Sequence, residues 1–167
     1  LLELEGLETR PTTDRVKEGV FSALQFDIEG RRVLDLFAGT GQLGIECLSR
    51  GAAAAVFVER RKDAFELVKK NLALTNLQDR ATVINGDARD FVVRTGERFD
   101  LVFLDPPYAS GLLEEMLERI TAPGFDILNP YGIIVAEHPA EKRLPAPPPL
   151  FRPLRTYRYG KIAVTLL

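Results

Sequence analysis

Val33-Leu34-Asp35-Leu36-Phe37-Ala38-Gly39-Thr40-Gly41-Gln42-Leu43-Gly44 joins a short apolar run to a glycine-rich turn. The apolar part reads as a buried strand, and the glycines open a helix, which is how an α/β unit with a ligand at its strand end begins. Comparable runs recur at Ala55-Val56-Phe57-Val58-Glu59, Thr82-Val83-Ile84, Leu101-Val102-Phe103-Leu104-Asp105 and Ile133-Ile134-Val135-Ala136. Between them Phe65, Val68 and Leu72, and then Leu113, Met116, Leu117 and Ile120, repeat at spacings of three and four, as one face of a helix does. Strands buried on both faces and joined by helical crossovers form a Rossmann-like, doubly wound, mostly parallel sheet whose ligands sit at the carboxyl ends of the strands.

At the end of the chain the pattern changes. Pro145 to Pro153 is proline-rich, and Leu154 to Tyr159 and Ile162 to Leu167 flank Gly160-Lys161, which predicts an antiparallel hairpin closing one sheet edge. Ahead of the first strand, Arg10-Pro11-Thr12-Thr13-Asp14-Arg15 leads into a helix through about Leu24 that Thr13 or Asp14 can cap. The expected organisation is one domain over residues 1–167, with 1–30 as a substrate-side segment and helix and 31–167 as the catalytic core.

The chain has 167 residues, 46% of them hydrophobic, and a formal net charge of -2. That charge argues against gripping a polyanion with the whole surface and leaves local basic patches to do so. One such patch is Lys142 to Lys161, with six basic residues and no acid, although a solvated face accounts for it about as well. Cys47 is the only cysteine, so no internal disulfide forms, and the absence of a transmembrane run or signal peptide points to a cytoplasmic protein. Within the helix after the glycine loop, Cys47 is expected to be a small core residue, which disfavours a covalent cysteine route.

The glycine spacing by itself also fits an NAD-dependent oxidoreductase, since Glu59 ends the second strand twenty residues after Gly39. Asp35 discriminates. A carboxylate just ahead of the loop repels a pyrophosphate but attracts the ammonium of a methionine moiety, so S-adenosylmethionine is the expected ligand. Glu59 can accept both ribose hydroxyls, and Asp87, after the third strand, can accept from the adenine amino group. A helix cap or turn explains any one of these acids; three at successive strand ends favour the cofactor. Phe37, Ala38, Gly39, Thr40, Gly41, Arg60 and Ala88 complete the expected donor site, and no metal is expected.

Asp105-Pro106-Pro107-Tyr108 ends the fourth strand, predicted to lie beside the first. Two prolines can merely stop a strand, but a stop needs neither the acid before them nor the aromatic after them. Methylation of an exocyclic base nitrogen uses both. The nitrogen lone pair is delocalised into the ring, so acceptors at the Asp105 carboxylate and Pro106 carbonyl help it become tetrahedral, while Tyr108 stacks on the base for ~1–3 kcal/mol.

With Arg10-Pro-Thr-Thr-Asp-Arg-Val-Lys-Glu18, Leu34-Asp-Leu-Phe-Ala-Gly-Thr-Gly41, Asp105-Pro-Pro-Tyr108 and Tyr159-Gly160 in order, the chain resembles the RsmD family, bacterial 16S ribosomal RNA guanine-N2 methyltransferases. The resemblance implies that Asp35 and Gly39 to Gly41 hold the donor, that Glu59 and Asp87 bind its nucleoside, and that Asp105 to Tyr108 hold a guanine of 16S ribosomal RNA. Family members carry a basic β-hairpin before the position of Arg10, and only Leu1 to Thr9 precedes it here, so the amino terminus is expected to be truncated. Arg10, Thr12, Thr13, Arg15, Arg155 and Arg158 are the candidate RNA contacts; a salt-bridged helix start accounts equally well for the first four. A monomer is expected. The rivals are a DNA adenine-N6 methyltransferase, which the Asp-Pro-Pro-Tyr motif permits but no target-recognition domain accompanies, and a non-catalytic RNA-binding module. His138, the only histidine, is expected to be structural.

Overall fold

The computed structural model describes residues 14–107, 111–141, 144, 151, 155–159 and 162–167. After helix α1 (Asp14–Ala23) the elements alternate: β1 (Arg32–Asp35), α2 (Gln42–Ser49), β2 (Ala54–Glu59), α3 (Lys62–Leu74), a 3₁₀ turn (Gln78–Arg80), β3 (Ala81–Asn85), α4 (Ala88–Arg94), β4 (Phe99–Leu104) and α5 (Leu112–Ile120). Three strands follow, β5 (Leu128–Pro139), β6 (Arg155–Tyr159) and β7 (Ile162–Leu166). They form one sheet in the order β3-β2-β1-β4-β5-β7-β6. β1 to β5 run parallel, β7 is antiparallel to β5, and β6 is antiparallel to β7. The doubly wound sheet and its carboxyl-terminal hairpin at one edge are therefore as the alternating pattern predicts.

Alternation along the strands splits the core in two. Val33, Leu101 and Phe103 pack with α1, α2 and α3 on one face, and Leu34, Val102 and Leu104 pack with α4 and α5 on the other. Asp35 is in phase with Val33 and so belongs to the α2 side. On that side the Phe57 ring occupies the space a β-carbon on Gly44 would need. The third glycine of the loop thus lets α2 lie close against β2.

Register places the site. One transverse row runs Val83, Phe57, Asp35, Phe103, Val135, Leu166, Arg155 across all seven strands. β1 stops at that row, whereas β5 continues to Pro139, paired with Ile162 and through it with Tyr159. The β5-β7-β6 edge therefore stands four residues past Asp35, about 13 Å at roughly 3.3 Å per residue. It flanks the region beyond the ends of β1 and β4. At its other end β5 is irregular, with a register shift against β4 between Phe99 and Leu101 and with Tyr131 at φ 65°.

The observed strands begin and end within a few residues of the expected ones. The differences are that Leu36-Phe37 and Asp105 lie beyond their strands, that β4 starts at Phe99, and that β5 runs further at both ends, from Leu128 to Pro139. Asp14 is the first residue of α1 rather than its cap; Thr13 lies outside the described residues.

Candidate active site

Asp35 ends β1 with 1% of its surface exposed, and neither carboxylate oxygen has a hydrogen-bond partner of good geometry. Burial, and less strongly the charge of Glu59, raise its pKa to about 7 against the pull of the nearby backbone N–H groups of Gly44 and Phe37. A buried acceptor pair without donors is costly unless a ligand completes it. An ammonium group could supply that complement.

The turn that follows is held at successive points. Ala38 N–H donates to the Val58 carbonyl at 3.1 Å, and Gly39 N–H donates to Glu59 Oε2 at 3.2 Å. Gly41 N–H donates to the Ala38 carbonyl at 2.8 Å, and Ile45 N–H to the Gly41 carbonyl at 2.9 Å. Gly39 and Gly41 adopt φ 59° and 89°, which glycine reaches without steric cost. Glu59 is half-buried and burial raises its pKa, against the lowering effect of Gly39 N–H. It ties the second strand end to the loop and keeps further acceptor capacity.

Asp87 caps α4, accepting from Arg89 N–H at 2.8 Å. Arg89 also grips both its oxygens, Nε to Oδ1 at 3.1 Å and Nη2 to Oδ2 at 3.1 Å. That grip holds the Asp87 carboxyl below its usual pKa, helped by the charge of exposed Arg60. The residue is thus both a helix cap and an anion facing Arg60, with Ala88 buried beside it.

Asp105 and Pro106 follow β4 two and three residues after Phe103, the strand partner of Asp35, and Leu36 N–H reaches the Phe103 carbonyl at 3.3 Å. The glycine loop and the Asp105-Pro106-Pro107 segment therefore leave adjacent strands at the switch point of the sheet. Pro106 is buried and Pro107 exposed. Tyr108 lies outside the described residues, as do Arg10, Thr12 and Thr13.

The family model described as conserved hypothetical protein 95 matches residues 1–167. Ribosomal RNA small subunit methyltransferase D of Escherichia coli is 38% identical over 157 residues, covering 94% of this chain and 78% of that one. Its namesake in Haemophilus influenzae is 39% identical over 150 residues, covering 88% and 76%.

The chain belongs to the RsmD family.

A solved Escherichia coli structure of 36% identity superposes at a TM-score of 0.86, covering 94% of this chain and 86% of that chain. An RNA methyltransferase from Salinibacter ruber, solved with S-adenosyl-L-homocysteine, shares the fold at a TM-score of 0.71 and 18% identity, covering 94% and 92%. This RsmD-family chain is accordingly a methyltransferase on a Rossmann-like fold.

The basic candidates divide. Arg15 is exposed on α1 and acts electrostatically on the Tyr159 phenol, whose pKa is raised mainly by burial and lowered by Arg15. Arg155 and Arg158 are exposed on the outermost strand but point to opposite faces. Arg155 is level with Asp35 and lies over the Tyr157 ring at 5.1 Å, and Arg158 is near the raised end. His138 is buried, with Nε2 2.8 Å from Thr165 Oγ1, which in turn is 3.0 Å from Thr156 Oγ1. It is a satisfied core residue. Cys47 is fully buried and burial pushes its thiol pKa well up, as suits an inert packing residue. Among the described residues no cluster of His, Cys, Asp and Glu could hold a metal, and no helix is long and apolar enough to cross a membrane.

Sequence reasoning passed over Asn71 and Arg89. Asn71 had one clue: a residue of modest helix propensity stands between apolar Val68 and Leu72 on the buried face of α3.

Proposed function

We propose that this chain methylates the exocyclic N2 of a guanine in small-subunit (16S) ribosomal RNA, working as a monomer in the cytoplasm. The observation that carries the reading is the buried, unsatisfied Asp35 carboxylate one strand away from Asp105-Pro106-Pro107. The names of the E. coli and H. influenzae relatives supply the RNA.

The donor brings an electrophilic methyl group on a sulfonium together with an α-ammonium. Asp35 accepts from the ammonium, and Gly39, Thr40 and Gly41, with Phe37 and Ala38, line the turn around it. Glu59 and neighbouring Arg60 face the ribose, and Asp87 and Ala88 face the adenine. Asp105 and the Pro106 carbonyl accept the two hydrogens of the guanine amino group, and the proline pair keeps that carbonyl aimed outward. Tyr108 stacks on the extruded base. As the nitrogen gains its bond to the methyl carbon, the carbon–sulfur bond breaks with its electron pair passing to sulfur, S-adenosylhomocysteine being the leaving group, and one proton leaves the nitrogen to Asp105 or water. Arg10, Thr12, Thr13, Arg15, Arg155 and Arg158 contact phosphates and neighbouring bases.

The test supplies labelled donor separately with ribosomal RNA from cells lacking the enzyme, with their small subunits, and with duplex DNA, and then identifies the nucleoside. N2-methylguanine from RNA or subunits is expected. Label found as N6-methyladenine, or in DNA alone, overturns the reading.

A further inference from the structure

Asn71 lies on α3, is fully buried, and donates from Nδ2 to the Thr40 carbonyl at 2.9 Å, across a sequence separation of 31 residues. The Thr40 carbonyl and the Gly41 N–H belong to one peptide plane. The N–H end of that plane is held by the Ala38 carbonyl at 2.8 Å, so Asn71 secures its other end. One helical turn away on the same face, Val68 backs the loop, and a β-carbon on Gly41 would stand 3.2 Å from its Cγ1.

This arrangement matters because of what surrounds it. Gly41 tolerates φ of either sign, so rotation of the Thr40-Gly41 plane meets little intrinsic resistance from the residue that follows it. A buried carbonyl that loses its donor seeks another. The helices, by contrast, have their own anchors: Phe57 against Gly44 for α2, and Ala64, Val68 and Leu72 for α3.

We infer that Asn71 is a positioning residue of the donor site, whose side-chain amide fixes the Thr40-Gly41 peptide and thereby the orientation of the glycine loop towards S-adenosylmethionine. The inference rests on the donor binding at this loop. Asn71 acts through Thr40 and does not itself meet the donor, so its loss should appear in donor affinity and leave the chemical step intact.

The experiment titrates the parent, Asn71→Ala and Asn71→Ser with S-adenosylhomocysteine by calorimetry, records their melting temperatures, and measures kcat and KM for donor and RNA separately. Asn71→Ala should bind S-adenosylhomocysteine about tenfold more weakly, the scale of one buried hydrogen bond. Its donor KM should rise in step, with kcat and the RNA KM within about twofold. Asn71→Ser, a smaller perturbation, should lose affinity in the same direction and decides the matter if the alanine variant does not fold. A folded variant that melts earlier but binds S-adenosylhomocysteine like the parent overturns the inference and leaves the donor reading standing. Failure of the parent to bind overturns the donor reading, and this inference with it.

Discussion

The phenol of Tyr159 lies across the backbone of Gly19, so that a β-carbon on that glycine would overlap its hydroxyl and ring. This contact docks α1 on the outermost strand and sets Arg15, one turn earlier on the helix, beside the phenol. Gly19→Ala tests it. In a free helix alanine would gain up to ~1 kcal/mol over glycine, but forcing an aromatic ring out of a packed seat costs ~1–3 kcal/mol, so the net effect should be destabilising. Urea unfolding should give a lower midpoint for Gly19→Ala, and little further loss when the change is added to Tyr159→Ala. A midpoint raised by Gly19→Ala would remove the contact.

If Asp35 holds the ammonium of the donor, binding should depend on pH. Its pKa in the folded chain stands at about 7 against an ordinary value of 3.8, so the folded state holds its proton more tightly than the unfolded state does. Stability of the ligand-free protein should therefore fall as pH rises from about 4 to about 7, by a few kcal/mol at most. Asp35→Asn should remove that slope and stabilise the ligand-free protein at pH 7. An ammonium partner favours the ionised form, so S-adenosylhomocysteine should bind more tightly at pH 8 than at pH 6 and release a proton near neutrality. Asp35→Ala should weaken binding by roughly ten- to a hundredfold. Calorimetry in buffers of different ionisation enthalpy reads the proton directly; equal affinity at both pH values would detach Asp35 from the donor.

Asp87 caps α4 and is also proposed to meet the adenine, and one pair of variants separates the two. Asp87→Ser retains a cap for α4 and should cost little stability, whereas Asp87→Ala loses the cap bond to Arg89 N–H and should cost ~1 kcal/mol. Both remove the carboxylate and should weaken S-adenosylhomocysteine alike. If the serine variant binds like the parent, Asp87 serves the helix alone.

How far the sequence carries follows from which contacts are local. Asp35, Glu59 and Asp87 could be placed at strand ends because apolar runs and glycine punctuation mark where strands stop, and the structure puts them at the ends of β1 and β2 and just after β3. Helix α4 (Ala88–Arg94) spans too few residues to declare a period. Register was equally illegible: nothing in Ile133 to Ala136 says that β5 will run four residues past the Asp35 row, or that Arg155 will stand level with Asp35. The bond from Asn71 to Thr40 depends on how α3 packs over the loop, and side-chain reach across 31 residues leaves no trace in local pattern.

Asp105 carries the last prediction, on turnover. Its segment leaves β4 beside the strand that ends in Asp35, yet the two acids are assigned opposite partners, the transferring nitrogen for Asp105 and the donor ammonium for Asp35. Asp105→Ala should therefore abolish most turnover while S-adenosylhomocysteine affinity stays within a few-fold of the parent, the pattern of a contact made chiefly in the transition state. Asp105→Asn separates charge from shape, because the amide oxygen still accepts one hydrogen but cannot take up the departing proton. If that proton goes to water, Asp105→Asn should retain clearly more activity than Asp105→Ala, and if it goes to Asp105 the two should be equally inactive. Tyr108→Phe should keep much of the activity that Tyr108→Ala loses, since the stacking face survives. Single-turnover methylation with saturating donor isolates the chemical step. A folded Asp105→Ala that methylates at the parental rate would take Asp105 out of the reaction.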